Sequence, residues 1–128
     1  MDAPLVYVVD DEADLRNTIG WLLESVGLPS RLFASGAEFL DQLDTVDGPG
    51  CIVLDVRMPG KNGLDIQRDL KARGCVLPVI MLTGHGDAAM AARAIKDGAF
   101  DFLEKPVNNQ TLLELVQKAI EESVGRIE

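Results

Sequence analysis

Cys51-Ile-Val-Leu-Asp-Val-Arg-Met-Pro59 is the stretch from which the rest of the chain can be read. Cys51 to Leu54 run without a polar break into Asp55, and Pro59, Gly60 and Gly63 follow. A continuous apolar run closed by turn residues predicts a strand buried on both faces of a parallel sheet. The last side chain of such a strand reaches the carboxyl edge of the sheet, where open α/β sheets bind their ligands. Asp55 is therefore expected at an edge where chemistry can occur.

Upstream, Leu5 to Val9 form a second apolar strand, ending in Asp10-Asp11-Glu12. Leu15, Ile19, Leu22, Leu23 and Val26 then recur at helical spacing until Gly27 and Pro29 stop them. Arg31 to Ala34 read as a weaker strand. Ser35-Gly-Ala-Glu38 opens a helix with a capping-box pattern, its apolar face supplied by Phe39, Leu40 and Leu43. Asp47-Gly-Pro-Gly50 is a turn. Downstream, a helix is predicted over Leu64 to Ala72 with Ile66 and Leu70 facing inward. Leu77 to Leu82, interrupted early by Pro78, is a buried strand running into Thr83-Gly-His-Gly86. Asp87 is expected to cap an Ala-rich helix ending at Gly98. Phe100 to Glu104 form a short strand closed by Lys105-Pro106. Asn108 or Asn109 then caps a last helix with Leu112, Val116, Ala119 and Ile120 on one face. Strand and helix alternate five times, so the expected architecture is α/β. It is a doubly wound parallel (βα)5 sheet with helices on both faces and right-handed crossovers.

At 128 residues the chain is one domain, read here as residues 1–123, with 124–128 as the start of a linker. Twenty-one acidic residues against 12 Lys plus Arg leave a net charge of −9, which argues against direct nucleic-acid or anionic-membrane binding by this segment. No apolar run approaches the ~20 residues of a membrane span, and Met-Asp-Ala-Pro shows no signal-type pattern. A cytoplasmic location is expected. Cys51 and Cys75 lack metal-ligand spacing and read as free thiols.

Each strong strand ends in a polar residue at the same edge: Asp10 and Asp11, Asp55, Thr83 and Lys105. Singly, these are ordinary turn, cap or surface residues. Together they converge as three carboxylates, one hydroxyl and one ammonium. Three close carboxylates repel unless a cation neutralises them, and hard oxygen ligands suit Mg²⁺, with Mn²⁺ as the alternative. Two carboxylates holding a metal leave the third as a nucleophile able to form an acyl phosphate. Lys105 and Thr83 would then meet the transferred oxygens, and Gly84 leaves room for them. The residues point to phosphorylation of Asp55.

In this order and spacing, Val-Val-Asp-Asp-Glu, Leu-Asp-Val-Arg-Met-Pro-Gly, Leu-Thr-Gly-His-Gly-Asp and Asp-Phe-Leu-Glu-Lys-Pro resemble the receiver domain of bacterial two-component response regulators. The resemblance runs from about Leu5 to Ser123. It implies a flavodoxin-like fold with strand order 2-1-3-4-5, and phosphotransfer from a sensor histidine kinase. Asp55 would be the phosphoacceptor. Asp10, Asp11, Asp55 and the backbone carbonyl of Arg57 would hold the metal, and Thr83 and Lys105 would contact the phosphoryl group. Phe102 occupies the family's aromatic switch position, coupled to Thr83. The resemblance also implies a cis Lys105-Pro106 peptide. Arg57 and His85 flank the path of attacking water and are expected to tune dephosphorylation, whereas Glu12 reads as a helix-dipole charge. The Ala-rich helix after Thr83 buries little area per residue and is expected to move on phosphorylation, promoting a homodimer.

The wording is most similar to receivers of the FixJ type, which carry a LuxR-like DNA-binding domain as an effector in cis. Receivers of sigma-54-dependent activators and stand-alone receivers are the alternatives. A phosphohydrolase of the haloacid-dehalogenase kind would want an Asp two residues after the nucleophile, where this chain has Arg57. A flavin-binding flavodoxin-like module would meet repulsion between Asp10-Asp11-Glu12 and the cofactor phosphate.

Overall fold

The computed structural model describes residues 3–42 and 48–127, with side chains through residue 125. Five strands, β1 (Leu5–Val9), β2 (Ser30–Phe33), β3 (Gly50–Asp55), β4 (Val79–Thr83) and β5 (Asp101–Glu104), alternate with five helices. The helices are α1 (Ala13–Ser25), α2 (Gly36–Asp41), α3 (Gly63–Ala72), α4 (Ala88–Lys96) and α5 (Asn109–Ile127). All four strand pairings are parallel, in the order β2-β1-β3-β4-β5.

Successive strand residues point to opposite faces, and each face has its own core. Tyr7, Val9, Ile52, Leu54 and Met81 meet Phe39 of α2 and Leu64, Ile66 and Leu70 of α3. Val6, Val8, Cys51, Val53, Ile80 and Leu82 meet Ile19 and Leu23 of α1 and Leu112, Val116 and Ala119 of α5. Burying each of the large aliphatic side chains contributes roughly 1.5–3 kcal/mol, so the central strands are held firmly from both sides. The buried Ser123 adds a polar stitch, its Oγ accepting from the Gly50 amide at 3.0 Å and tying α5 to the start of β3.

The register lines up the polar strand ends. Val9 pairs with Leu54, which sets Asp10 beside Asp55. Asp55 pairs with Leu82, and Thr83 with Glu104, which brings Thr83 and Lys105 to the same edge. Gly63 is required in the segment that returns beneath this edge. A Cβ there would lie 2.6 Å from the Asp55 carbonyl oxygen and 2.8 Å from the Val56 Cα.

Several local expectations need adjustment. β2 begins at Ser30 and ends at Phe33, one residue earlier at each end than expected. Val26 is not on the buried face of α1 but follows its end, exposed. Ser35 does accept from the Glu38 amide, yet the Glu38 carboxylate reaches back to the Ala34 amide rather than to Ser35. α3 starts at Gly63 behind a full capping box between Asn62 and Asp65. Of the two candidate caps for α5, Asn108 is the one used, accepting from the Thr111 amide at 2.9 Å. Asp87 stands at the N-cap position of α4 but makes no side-chain cap bond. The helical backbone of α5 continues through Ile127, and Val124 packs against the core. Leu43 and Asp47 lie outside the described residues.

Candidate functional site

The strand ends assemble a pocket around Asp55, which is buried and anchored at the end of a wholly buried strand. Its Oδ1 accepts from the Arg57 amide at 3.3 Å, and its Oδ2 from Lys105 Nζ at 3.1 Å. Asp10 is fully buried; its Oδ1 accepts from the Glu12 amide at 2.8 Å, while Oδ2 has no hydrogen-bond partner and lies 3.6 Å from Lys105 Nζ. Asp11 is exposed at the rim. One oxygen from each of Asp10, Asp11 and Asp55 lies within 4.8 Å of the others.

Burial dominates the electrostatics. It raises the Asp55 carboxyl to about 6, with the Asp10 charge adding to the rise and Lys105 opposing it. Burial likewise raises Asp10, against the Glu12 amide and Lys105. Lys105 is itself partly desolvated, but Glu12, Asp55 and Asp10 together hold it above its ordinary value. One ammonium thus serves three carboxylates and leaves them under-compensated. A divalent cation fits this donor set: three convergent hard oxygens, a surplus of negative charge, and a buried carboxylate oxygen lacking a partner.

The other predicted site residues are arranged less uniformly. Thr83 lies at the edge, but its hydroxyl donates to the Leu103 carbonyl at 3.4 Å. Phe102 points outward with 40 % of its surface exposed. It lines a cleft of about 430 Å³ together with Thr83, Ala88 and Ala91. His85 is almost fully exposed, its Nδ1 3.4 Å from Glu104 Oε1. The Arg57 side chain turns away from Asp55 to Asp87. The Lys105–Pro106 peptide is cis.

Two participants were not expected. Glu12 read as a dipole charge, yet its Oε1 accepts from Lys105 Nζ at 3.1 Å, so it shares the ammonium with Asp55. Asp87 read as a helix cap, yet its carboxylate is committed to Arg57 and to the Gly84 amide. The Glu12–Lys105 and Arg57–Asp87 contacts join residues far apart in the chain, and only the folded register brings them together.

The family model for the response regulator receiver domain matches residues 6–117. The chain is 50 % identical over 119 residues to the transcriptional regulatory protein TdiR of Thauera aromatica, covering 93 % of this chain and 52 % of that protein. It is 46 % identical over 121 residues to the transcriptional regulatory protein FixJ of Azorhizobium caulinodans, covering 94 % of this chain and 55 % of that one. The solved structure of full-length FixJ from B. japonicum superposes with a TM-score of 0.89 at 39 % identity, over 96 % of this chain and 60 % of that one. The FixJ-N crystal structure gives 0.87 at 36 % identity, over 94 % and 96 %. The chain thus spans a little over half the length of these curated relatives.

Proposed function

The chain belongs to the response regulator receiver domain family, and from that premise we propose that Asp55 is its phosphoacceptor and that the pocket is a Mg²⁺-dependent phosphorylation switch. The observation that carries this reading is the buried Asp55 carboxylate, hydrogen-bonded to Lys105 and grouped with Asp10 and Asp11 around a single point. Asp10, Asp11, Asp55 and the Arg57 carbonyl would hold the cation, which neutralises charge on the transferring group and the carboxylates when bound.

The carboxylate oxygen of Asp55 attacks the donor phosphorus. A P–O bond to Asp55 forms, and the donor's bond breaks with its electron pair leaving on the phosphohistidine nitrogen or, for a small donor, on the acetate oxygen. Lys105 is already within reach to neutralise the new oxygens. Thr83 meets them by exchanging its weak Leu103 bond for a phosphoryl oxygen. That movement would open the cleft beside α4 to the exposed ring of Phe102. Phosphorylation would thereby be read on the α4–β5 face, where Phe102 and Ile95 are exposed for pairing with a second copy. A sensor histidine kinase as donor, an effector domain in cis and transcription as output follow from the same reading. Intrinsic autophosphorylation and autodephosphorylation at Asp55 belong to it too. A phosphohydrolase is disfavoured because the side chain two residues after Asp55 is Arg57, turned to Asp87 rather than to a leaving group.

Incubation with acetyl phosphate and Mg²⁺, followed by intact-mass and peptide mapping, tests the proposal. One phosphoryl group on Asp55, absent without Mg²⁺ and absent in Asp55→Asn, is expected. Continuous donor turnover without a covalent label would replace the proposal with a hydrolase, and neither label nor turnover would leave a binding module.

A further inference from the structure

The ion pair between Arg57 and Asp87 joins the two loops that flank the Asp55 pocket. Arg57 Nε donates to Asp87 Oδ1 at 2.9 Å and to Oδ2 at 3.0 Å, and its second terminal nitrogen lies 2.7 Å from Oδ1. The partners are unequally placed: the Arg57 side chain is 70 % exposed and that of Asp87 only 5 %. Asp87 also accepts from the Gly84 amide at 3.2 Å, and a Cβ on Gly84 would press on that same carboxylate oxygen at 3.2 Å.

Two features separate this pair from an incidental surface contact. Asp87 stands at the N-cap of α4, where a carboxylate would ordinarily accept from the first helical amides and offset the helix dipole. Its backbone, at φ −96° and ψ 26°, is outside the extended conformation that caps favour, and its side chain serves the loops instead. The pair also ties a wall of one cleft to a wall of another. Arg57 lines one of about 400 Å³ with Met58, Asn62 and Met90. Asp87 lines the other, of about 430 Å³, which contains Thr83.

We infer that Asp87 is a positioning residue for dephosphorylation: by holding Arg57 against the β4–α4 loop it closes the side of the pocket to water and lengthens the life of the phosphorylated state. The inference rests on the phosphoacceptor reading of Asp55. The step it slows is hydrolysis, in which a water oxygen bonds to phosphorus and the P–Oδ bond breaks with its electron pair returning to Asp55. The water's protons leave with inorganic phosphate or pass to solvent. The lowered Asp87 carboxyl, caused first by its bonds from Arg57, keeps the pair charged through neutral pH.

The test compares the whole chain as wild type, Arg57→Ala, Asp87→Asn and the double variant. Each is labelled with acetyl phosphate and Mg²⁺, freed of donor, and followed by mass as the label decays. Asp87→Asn keeps an oxygen for the Gly84 amide while removing the charge, so the loop can retain its bond. Each single variant is expected to lose label roughly three- to fivefold faster, the scale of an ion pair with one exposed partner, and the double no faster than Arg57→Ala alone. A purely structural Asp87 would instead give effects that multiply in the double variant. Multiplying effects, or an unchanged lifetime in Asp87→Asn, overturn the inference while leaving the phosphoacceptor reading intact. Arg57→Lys keeps a cation without the fork and should fall between wild type and Arg57→Ala; a lifetime equal to that of Arg57→Ala counts against positioning by the pair. If no variant, wild type included, takes label at Asp55, the phosphoacceptor reading itself fails and the inference with it.

Discussion

β3 and β5 sit two places apart in one sheet, yet the protein treats them oppositely. All six residues of β3 are buried, and it delivers Asp55 from between two cores. None of the four residues of β5 is buried; it is an edge strand carrying Phe102 outward. α4, packed next to it, contributes only Ala91 and Ala94 as buried residues, whereas α3 buries Leu64, Ile66, Gln67 and Leu70. Low apolar burial is the physical mark of a segment that opens at small free-energy cost. The contrast assigns a division of labour. Under the proposed phosphorylation of Asp55, charge would be placed on the rigid part, where geometry must not vary, and read on the loose part, where a small change in interaction energy shifts a population.

The largest expected effect concerns the strain stored at the rigid end. Asp55 carries a carboxyl raised from 3.8 to about 6, so the folded chain binds its proton more tightly than the unfolded chain does. The unfavourable term is absent below about pH 4, grows as pH rises to about 6, and is complete above it. Asp55→Asn should therefore stabilise the metal-free protein at pH 7 by about 3 kcal/mol in denaturant unfolding, with the difference disappearing at pH 4. A destabilised Asn variant at pH 7 would show that Lys105 outweighs burial. Mg²⁺ should relieve the same strain in the wild type. At a hundredfold excess over its dissociation constant the gain is about 2.7 kcal/mol, and it should be lost in Asp10→Asn. The smallest effect lies on the loose side. Gln67 Nε2 donates to the Ala94 carbonyl at 3.0 Å, a buried bond from α3 to α4. Gln67→Ala should cost about 1 kcal/mol and speed amide exchange in α4 while leaving β1 and β3 unchanged. Equal acceleration in β3 would erase the proposed contrast.

The firm half was the more legible half in sequence. Unbroken apolar runs identified β1, β3 and β4, because strands covered on both faces have no reason to alternate. Their parallel pairing brings Asp10, Asp55, Thr83 and Lys105 to one edge, as read from the strand ends alone. What was not legible depends on side-chain direction across loops. Glu12 and Lys105 are 93 positions apart and meet directly at the sheet edge, not through any local pattern. Asp87 carries a cap signature that the fold overrides, since Arg57 offers it a stronger charged partner than backbone amides do. The Asn62–Asp65 capping box was present in the sequence but hidden among the turn residues after Asp55.

Hydrogen exchange on the wild-type chain, compared before and after labelling with acetyl phosphate and Mg²⁺, tests the division most directly. Exchange should change in residues 84–104, from the β4–α4 loop through β5, with β1 and the body of β3 unaltered. In Asp55→Asn, treated identically, the change should be absent. A labelled protein whose exchange changes equally in all five strands, or not at all in residues 84–104, would contradict the account.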